Sequence, residues 1–413
     1  MLNLNISKIP KSFYSSKKDE VTKLLEQFQK HDQGFYTNID DPSPIKKIKT
    51  LASQAKGKFS HIVVCGIGGS ALGTICLQKS LKHLFKNELK TSPKLYVLDN
   101  IDPELITQVQ DVIDIKKTLF IIITKSGSTP ETLSQYFYFR VLCDKHKLNP
   151  KNHFIFITGS KGQIRDIANK EEIAALDIPE NIGGRFSVLT PVGLLPAALI
   201  GINIDKLIKG AQEMRKNFLS TNPTKNLSFL LALIQHGLLK KGINQTVMMP
   251  YSQRLLYFAD WYRQLLAESI GKKKNNKGKV VNTGITPIKA LGVTDQHSQS
   301  QLYNEGPNDK LFIFLETKKV KNDPKIPSPE FKNITFKKLL DIEKKATTDS
   351  LTKNNRPNLT ITIDSVNEES LGQLFMLFMG SIAFLGELLD INAFDQPGVE
   401  LSKILTKKAL SKL

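Results

Sequence analysis

The chain predicts an α/β fold: two αβα sandwiches with mostly parallel sheets, preceded by a helical N-terminal arm. Three observations carry that prediction. Short, unbroken apolar runs recur along the sequence, segments of helical length separate them, and the whole pattern restarts in the second half.

The first set of runs is His61-Ile62-Val63-Val64-Cys65, Leu95-Tyr96-Val97-Leu98, Leu119-Phe120-Ile121-Ile122-Ile123 and Phe154-Ile155-Phe156-Ile157. Continuous apolar runs without alternation suit strands covered on both faces. Residues 70–85 and 129–146 lie between them with helical length, so the series reads βαβ. The second set is Thr246-Val247-Met248-Met249, Lys279-Val280-Val281, Leu311-Phe312-Ile313-Phe314-Leu315 and Leu359-Thr360-Ile361-Thr362-Ile363, with helices expected over 226–241, 252–270 and 368–389. The expected organisation is an arm over 1–45, a first domain over 46–205 and a second over 206–413, which carries the C-terminal helices. Residues 186–204 and 371–389 are apolar enough to raise a membrane span. Pro191, Gly193, Pro196 and Gly201 interrupt one, and Gln373 and Glu387 the other, so both read as buried helices and no membrane partner is expected.

Composition narrows the function classes. Hydrophobic residues at 40% and charged residues at 23% exclude wholesale disorder. The 58 Lys+Arg against 39 Asp+Glu leave a net +19, which raises nucleic acid. The lysines are scattered, however, and no zinc finger or aromatic RNA-binding motif accompanies them, so no nucleic-acid partner is expected. The positive field favours encounter with a small phosphorylated anion. Cys65, Cys76 and Cys143 form neither a disulfide framework nor a CxxC pair, and the N-terminus lacks a signal-peptide pattern. A cytoplasmic location is the expectation.

The first strand runs into Gly66-Ile67-Gly68-Gly69-Ser70-Ala71. Such a strand-to-helix turn aims backbone N–H groups at an anion, which makes Gly69 and Ser70 substrate-binding candidates. The same run fits a dinucleotide fingerprint. An NAD site needs an acid about 20 residues further on, and Asp99, the nearest at a strand end, lies too far along. The third strand runs into Thr124-Lys125-Ser126-Gly127-Ser128-Thr129-Pro130-Glu131-Thr132. Ser128 with Glu131 fits a capping box, and Pro130 fits the first helical turn. Capping does not explain Thr124, Ser126, Ser128 and Thr129 together, whereas a phosphate monoester wants several short donors; Lys125 stands among them.

Four further segments carry acid–base candidates. Arg185 follows two glycines in Glu180-Asn181-Ile182-Gly183-Gly184-Arg185-Phe186-Ser187, where backbone and guanidinium can approach an anion closely. Glu268 ends a helix before Gly271-Lys272, with Gln264 one turn earlier on the same face. His297 lies in a polar, loop-like stretch, and Lys403 on a helix opened by Pro397 in Phe394-Asp395-Gln396-Pro397-Gly398-Val399-Glu400. Taken singly, each also fits an ordinary surface residue. No histidine has metal-ligand spacing, so no catalytic metal is expected.

In combination and order, these segments resemble the phosphoglucose isomerase family over residues 66–403, and the length is like its short bacterial members. The resemblance implies two sugar-isomerase (SIS) domains and reversible conversion of glucose 6-phosphate to fructose 6-phosphate through a cis-enediolate, without a cofactor. It implies Glu268 as the base, His297 and Lys403 as ring openers, Arg185 as stabiliser of the enediolate charge, Gln396 in the pocket and the hydroxyls of 124–129 on the phosphate. It further implies a homodimer in which His297 reaches the partner's site. Two alternatives stand beside it: an isomerase that also accepts mannose 6-phosphate, and a non-catalytic SIS-type sensor of sugar phosphates. The sensor has no use for Glu268, Arg185 and Lys403 together.

Overall fold

The structure is a computed structural model and describes residues 2–15 and 18–412. Twelve strands occur among them: β1 (Asn3–Asn5), β2 (His61–Cys65), β3 (Lys94–Leu98), β4 (Thr118–Thr124), β5 (Phe154–Thr158), β6 (Ala175–Asp177), β7 (Gln245–Pro250), β8 (Lys272–Lys274), β9 (Val280–Thr283), β10 (Thr286–Lys289), β11 (Lys310–Thr317) and β12 (Asn358–Ile363).

The first sheet has the order β3-β2-β4-β5-β6 and is parallel throughout. The unbroken runs form its centre: every residue of β4 and β5 is buried. The chain leaves β2 toward β3 on one side and returns to β4 on the other. The loops after β2 and β4 therefore part at a topological switch point, where α/β sheets characteristically bind ligands.

The second sheet has the order β1-β12-β11-β7-β10. Its pairings among β7, β10, β11 and β12 are parallel, and β1 joins the edge antiparallel to β12, with Asn3 opposite Thr362. The arm is thus not purely helical. It contributes a strand to the second sheet before the helix Lys18–Gln29, and the helix Pro42–Ala55 crosses the expected boundary at residue 45.

The expected strand at 279–281 belongs to neither sheet. Val280 and Val281 are exposed, and β9 pairs with β8 in a separate two-stranded ribbon. The edge strand of the second sheet is instead β10, paired to β7 with Pro287 opposite Thr246. Proline lacks the ladder N–H and is tolerated at an edge.

The helix Glu368–Leu388 is the core of the molecule. It is long and apolar enough to cross a membrane, but it is buried between the helices Ile204–Phe218 and Leu227–Leu239. Asn367 starts it by accepting from the Ser370 N–H at 2.8 Å. The run at 186–204 forms a 3₁₀ turn, Gly184–Leu189, followed by the buried helix Pro191–Leu199.

Candidate active site

A cleft of about 660 Å³ opens at the switch point of the first sheet. Gly69, Ser70, Thr124, Lys125, Ser126, Thr129, Arg185, Gln264, Glu268, Gln396 and Lys403 all line it. Residues from five separate stretches of sequence converge there.

Two of those stretches meet by backbone contact. A Cβ at Gly69 would clash with the Gly184 carbonyl and lie 3.0 Å from the Arg185 nitrogen. Only glycine lets the first loop and the arginine loop touch in this way.

The hydroxyl loop after β4 folds on itself. The Thr124 and Thr129 hydroxyls are 2.8 Å apart, and Ser126 Oγ is 3.3 Å from Thr129 Oγ1. Thr129, not Ser128, is the cap residue of the helix Pro130–Lys145, and its side chain makes no capping bond. The capping-box expectation therefore fails: Gly127 adopts φ +66°, and Ser128 is turned to the surface, where its Oγ meets Ser126 at 3.3 Å. Ser128 does not line the cleft. The helix N-terminus, uncapped by any side chain, faces the hydroxyl cluster, an arrangement suited to a phosphate.

Lys125 lines the cleft and also ties two loops together. Its ammonium donates to the carbonyls of Glu180 (2.8 Å) and Ile182 (2.9 Å), tying the hydroxyl loop to the stretch that leads into Arg185. Burial lowers its pKa, with Glu180 opposing that shift.

Arg185 is the hub. It is only 3% exposed, and all of its N–H donors are engaged. Nε donates to Ser269 Oγ at 3.0 Å, and one terminal nitrogen donates to Glu268 Oε2 at 3.3 Å and Gln396 Oε1 at 2.5 Å. The other donates to the carbonyls of Ala393 at 3.0 Å and Asp395 at 3.1 Å. The planar fork thus fixes the Glu268 segment and the C-terminal segment relative to each other. Burial pulls the guanidinium below its ordinary range, and Glu268 pushes it back up.

Glu268 stands near the end of the helix Leu256–Ile270, which stops at Gly271. Its second oxygen accepts from Gln264 Nε2 at 3.1 Å. Lys272, buried beside it, donates to the carbonyls of Glu268 at 2.9 Å and Asp395 at 2.7 Å. Burial lowers the Lys272 pKa, and Asp395 opposes that shift. The Glu268 carboxylate is therefore held by Arg185 and Gln264, its main-chain carbonyl by Lys272, and the residue lines the cleft.

Lys403 sits on the helix Glu400–Leu410, which follows the turn Pro397–Val399 as expected. It is 57% exposed and paired with Glu400 at 2.7 Å. His297 is exposed and does not line this chain's cleft. Nor is its segment a loop: Thr294–Ser298 is a short helix, held because the Asp295 carboxylate accepts from the Leu291 N–H at 2.7 Å and the Ser298 hydroxyl at 2.5 Å.

The wall residues that sequence reasoning missed include Thr132, Ser160 and Lys161. Thr132 Oγ1 is buried and has no partner among the described residues, one turn beyond Thr129 on the helix face toward the cleft. Spacing of three on a helix was the available signal. Ser160 and Lys161 come from the loop after β5, and Ser160 donates to Glu180 at 2.6 Å. Among the described residues, no three His, Cys, Asp or Glu side chains cluster as a metal site.

The switch-point cleft brings together a hydroxyl-lined helix N-terminus, a held carboxylate and a fixed arginine, an arrangement suited to a sugar phosphate. The Escherichia coli tagatose-6-phosphate ketose/aldose isomerase shares the fold at TM-score 0.54 and 13% identity, over 92% of this chain and 97% of that one. The chain belongs to the phosphoglucose isomerase family, whose model matches residues 45–413. The glucose-6-phosphate isomerase of Carboxydothermus hydrogenoformans is 47% identical over 404 residues, covering 94% of this chain and 87% of that protein. A hypothetical protein of Thermus thermophilus superposes at TM-score 0.91 with 32% identity, over 99% of this chain and 100% of that one. The Chlamydia trachomatis glucose-6-phosphate isomerase superposes at TM-score 0.84 and 22% identity, over 95% and 84% of the two chains.

Proposed function

We propose that the cleft interconverts glucose 6-phosphate and fructose 6-phosphate by proton transfer between C2 and C1. The observation that carries this reading is the five-bonded Arg185, which holds Glu268 and Gln396 on one wall while the hydroxyl loop forms another. Thr124, Ser126, Thr129 and the helix N-terminus take the phosphate. Glu268 removes the C2 proton of the open-chain aldose, leaving a cis-enediolate; the O2 proton passes to O1, and Glu268 returns its proton to C1 to give the ketose. Its neighbours cannot compete for that proton: Gln264 and Arg185 only donate to it. Arg185 supplies fixed positive charge beside the two enediolate oxygens, already desolvated and already oriented. Lys403 at the rim assists ring opening, and the reaction needs no cofactor.

The enzyme works as a homodimer in the cytoplasm. The exposed His297 supports its delivery to a second copy's cleft, and the free, buried Cys65, Cys76 and Cys143 suit a reducing compartment. Each five-stranded sheet with its helices is read as one SIS domain, 46–205 and 206–413, after the arm.

The test is a coupled assay with fructose 6-phosphate on the parent enzyme and on Glu268→Gln. The substitution keeps the shape and removes the base, so turnover falls by about 10²–10⁴-fold while sugar-phosphate binding persists. Near-normal turnover in Glu268→Gln would remove it as the base; no turnover in the parent with binding intact would favour the sensor.

A further inference from the structure

The matched family region begins at residue 45, yet a segment before it lies directly behind the catalytic wall. Phe186 follows Arg185 in the chain, and Phe394 precedes Asp395-Gln396; their rings are 5.3 Å apart. Phe35 packs on both, at 5.1 Å from Phe186 and 6.4 Å, stacked, from Phe394. Phe28 lies 5.9 Å and His31 6.2 Å from Phe394. The Gly34 N–H donates to the Asn181 carbonyl at 3.1 Å, and Asn181 Nδ2 donates to Asp32 at 3.2 Å, in the loop that carries Arg185. Both catalytic segments therefore rest on residues 28–36.

That support is itself anchored. Arg215 donates to the Tyr36 carbonyl at 3.1 Å and pairs with Asp40, and Gln212 donates to the Ile39 carbonyl at 3.0 Å. Both come from the helix Ile204–Phe218. His31 pairs with Glu387 at 2.9 Å, near the end of the central helix. Phe218 meets Phe28 at 5.5 Å and Phe384 at 5.4 Å. The segment thus connects the buried helices of the second half to the arginine loop of the first.

We propose that residues 28–36, with Phe35 as their centre, are a positioning element for Arg185 and Gln396, a role that rests on the isomerase reading. Phe35 touches no substrate atom. It sets the spacing of Phe186 and Phe394, and with it the 2.5 Å contact between Arg185 and Gln396 and the aim of Glu268. The hydroxyl loop lies on a different wall and meets this stretch through Lys125 on the Glu180 and Ile182 carbonyls, so phosphate binding depends on the ring spacing much less than the aim of Arg185 does.

The experiment measures kcat and KM for Phe35→Ala, Phe35→Leu and Phe139→Ala, well below each variant's melting temperature. Phe139 is as buried as Phe35 but stacks on Phe120 in the other core layer, away from both segments. The expected result for Phe35→Ala is a kcat lowered about 10–100-fold, the scale of a 1 Å misplacement, with KM little changed. Phe35→Leu restores most of that loss, and Phe139→Ala loses stability with normal kcat. A normal kcat in Phe35→Ala, or an equal loss in Phe139→Ala, overturns the proposal. If Phe35→Ala does not fold, Phe35→Val decides: it still removes the ring that packs on Phe186 and Phe394, and a normal kcat there also overturns the proposal. A parent enzyme without turnover would overturn the isomerase reading, and this role with it.

Discussion

Replacing Arg185 by lysine keeps one positive charge and removes the planar fork. The N–H bonds of the arginine end on a hydroxyl, a carboxylate, an amide and two main-chain carbonyls. An ammonium has three donors on one atom, so at least two of these acceptors lose their partner. At about 1.5–3 kcal/mol per bond involving a charged group, the deficit is roughly 3–6 kcal/mol of stability. That is a large share of the ~5–15 kcal/mol by which folded proteins typically exceed the unfolded chain. Catalysis suffers separately, because losing one preorganised donor at a developing negative charge lowers kcat about 10²–10³-fold. The assay pairs a melting curve with fructose 6-phosphate turnover, and adds deuterium uptake from D₂O into the sugar as a readout of enediolate formation. Lower melting temperature, lower kcat and slower deuterium uptake with KM nearly kept are expected, since the hydroxyl loop is untouched. Near-normal kcat in a destabilised Arg185→Lys would refute the assignment: the arginine would then be a structural strut alone.

Thr132→Val removes a buried hydroxyl that has no partner among the described residues. If its hydroxyl bonds the phosphate, stability should hold or rise while KM for the sugar phosphate rises ~10–100-fold, the worth of one hydrogen bond to a charged group; an unchanged KM would show that Thr132 does not bind the phosphate. Gly69→Ala forces a methyl against the Gly184 carbonyl, where only backbone can yield. It should cost about 1–3 kcal/mol and most of the activity, and a fully active, fully stable variant would show that the two loops need not touch. Asp40 and Asp349 tether the arm, and hydrogen bonds from Arg215 and from Lys345 with Lys8 lower their pKa values, that of Asp349 to about 2. A lowered folded pKa means the tether is complete above the unfolded value of 3.8 and is lost as pH falls through the folded value. Pepsin cleavage of the arm, corrected with an unstructured peptide, should therefore increase as pH falls from about 4 to 2, and a flat profile would contradict the tether.

The sheets were legible where both faces are buried. Strands β2, β4, β5 and β11 announce themselves as largely unbroken apolar runs because neither face meets water, whereas β12 alternates with threonine although it is buried along its length. β6 was not legible, having three residues of which one is buried, and β10 was hidden by Pro287. In the site, each segment could be read singly, and the family resemblance joined them. What could not be read was the joining itself. Arg185 reaches partners 83 to 211 residues away, and no local pattern records such distances. The capping box at Ser128 failed for the opposite reason: its pattern was local and sound, but the positive φ of Gly127 turned the loop so that Thr129 took the cap position.

The hub also sets an order of events during synthesis. Gln396 follows Arg185 by 211 residues, so at about 5–20 residues per second the arginine waits roughly 10–40 s for that acceptor. The strand β1 waits longer still for β12. Until then the first sheet can form, but its arginine must remain hydrated, because burying the charge without its acceptors would be prohibitive. A nascent chain therefore holds an open, wet arginine loop and no competent cleft, and sugar phosphate in the surrounding fluid meets chemistry only after the last segment has arrived.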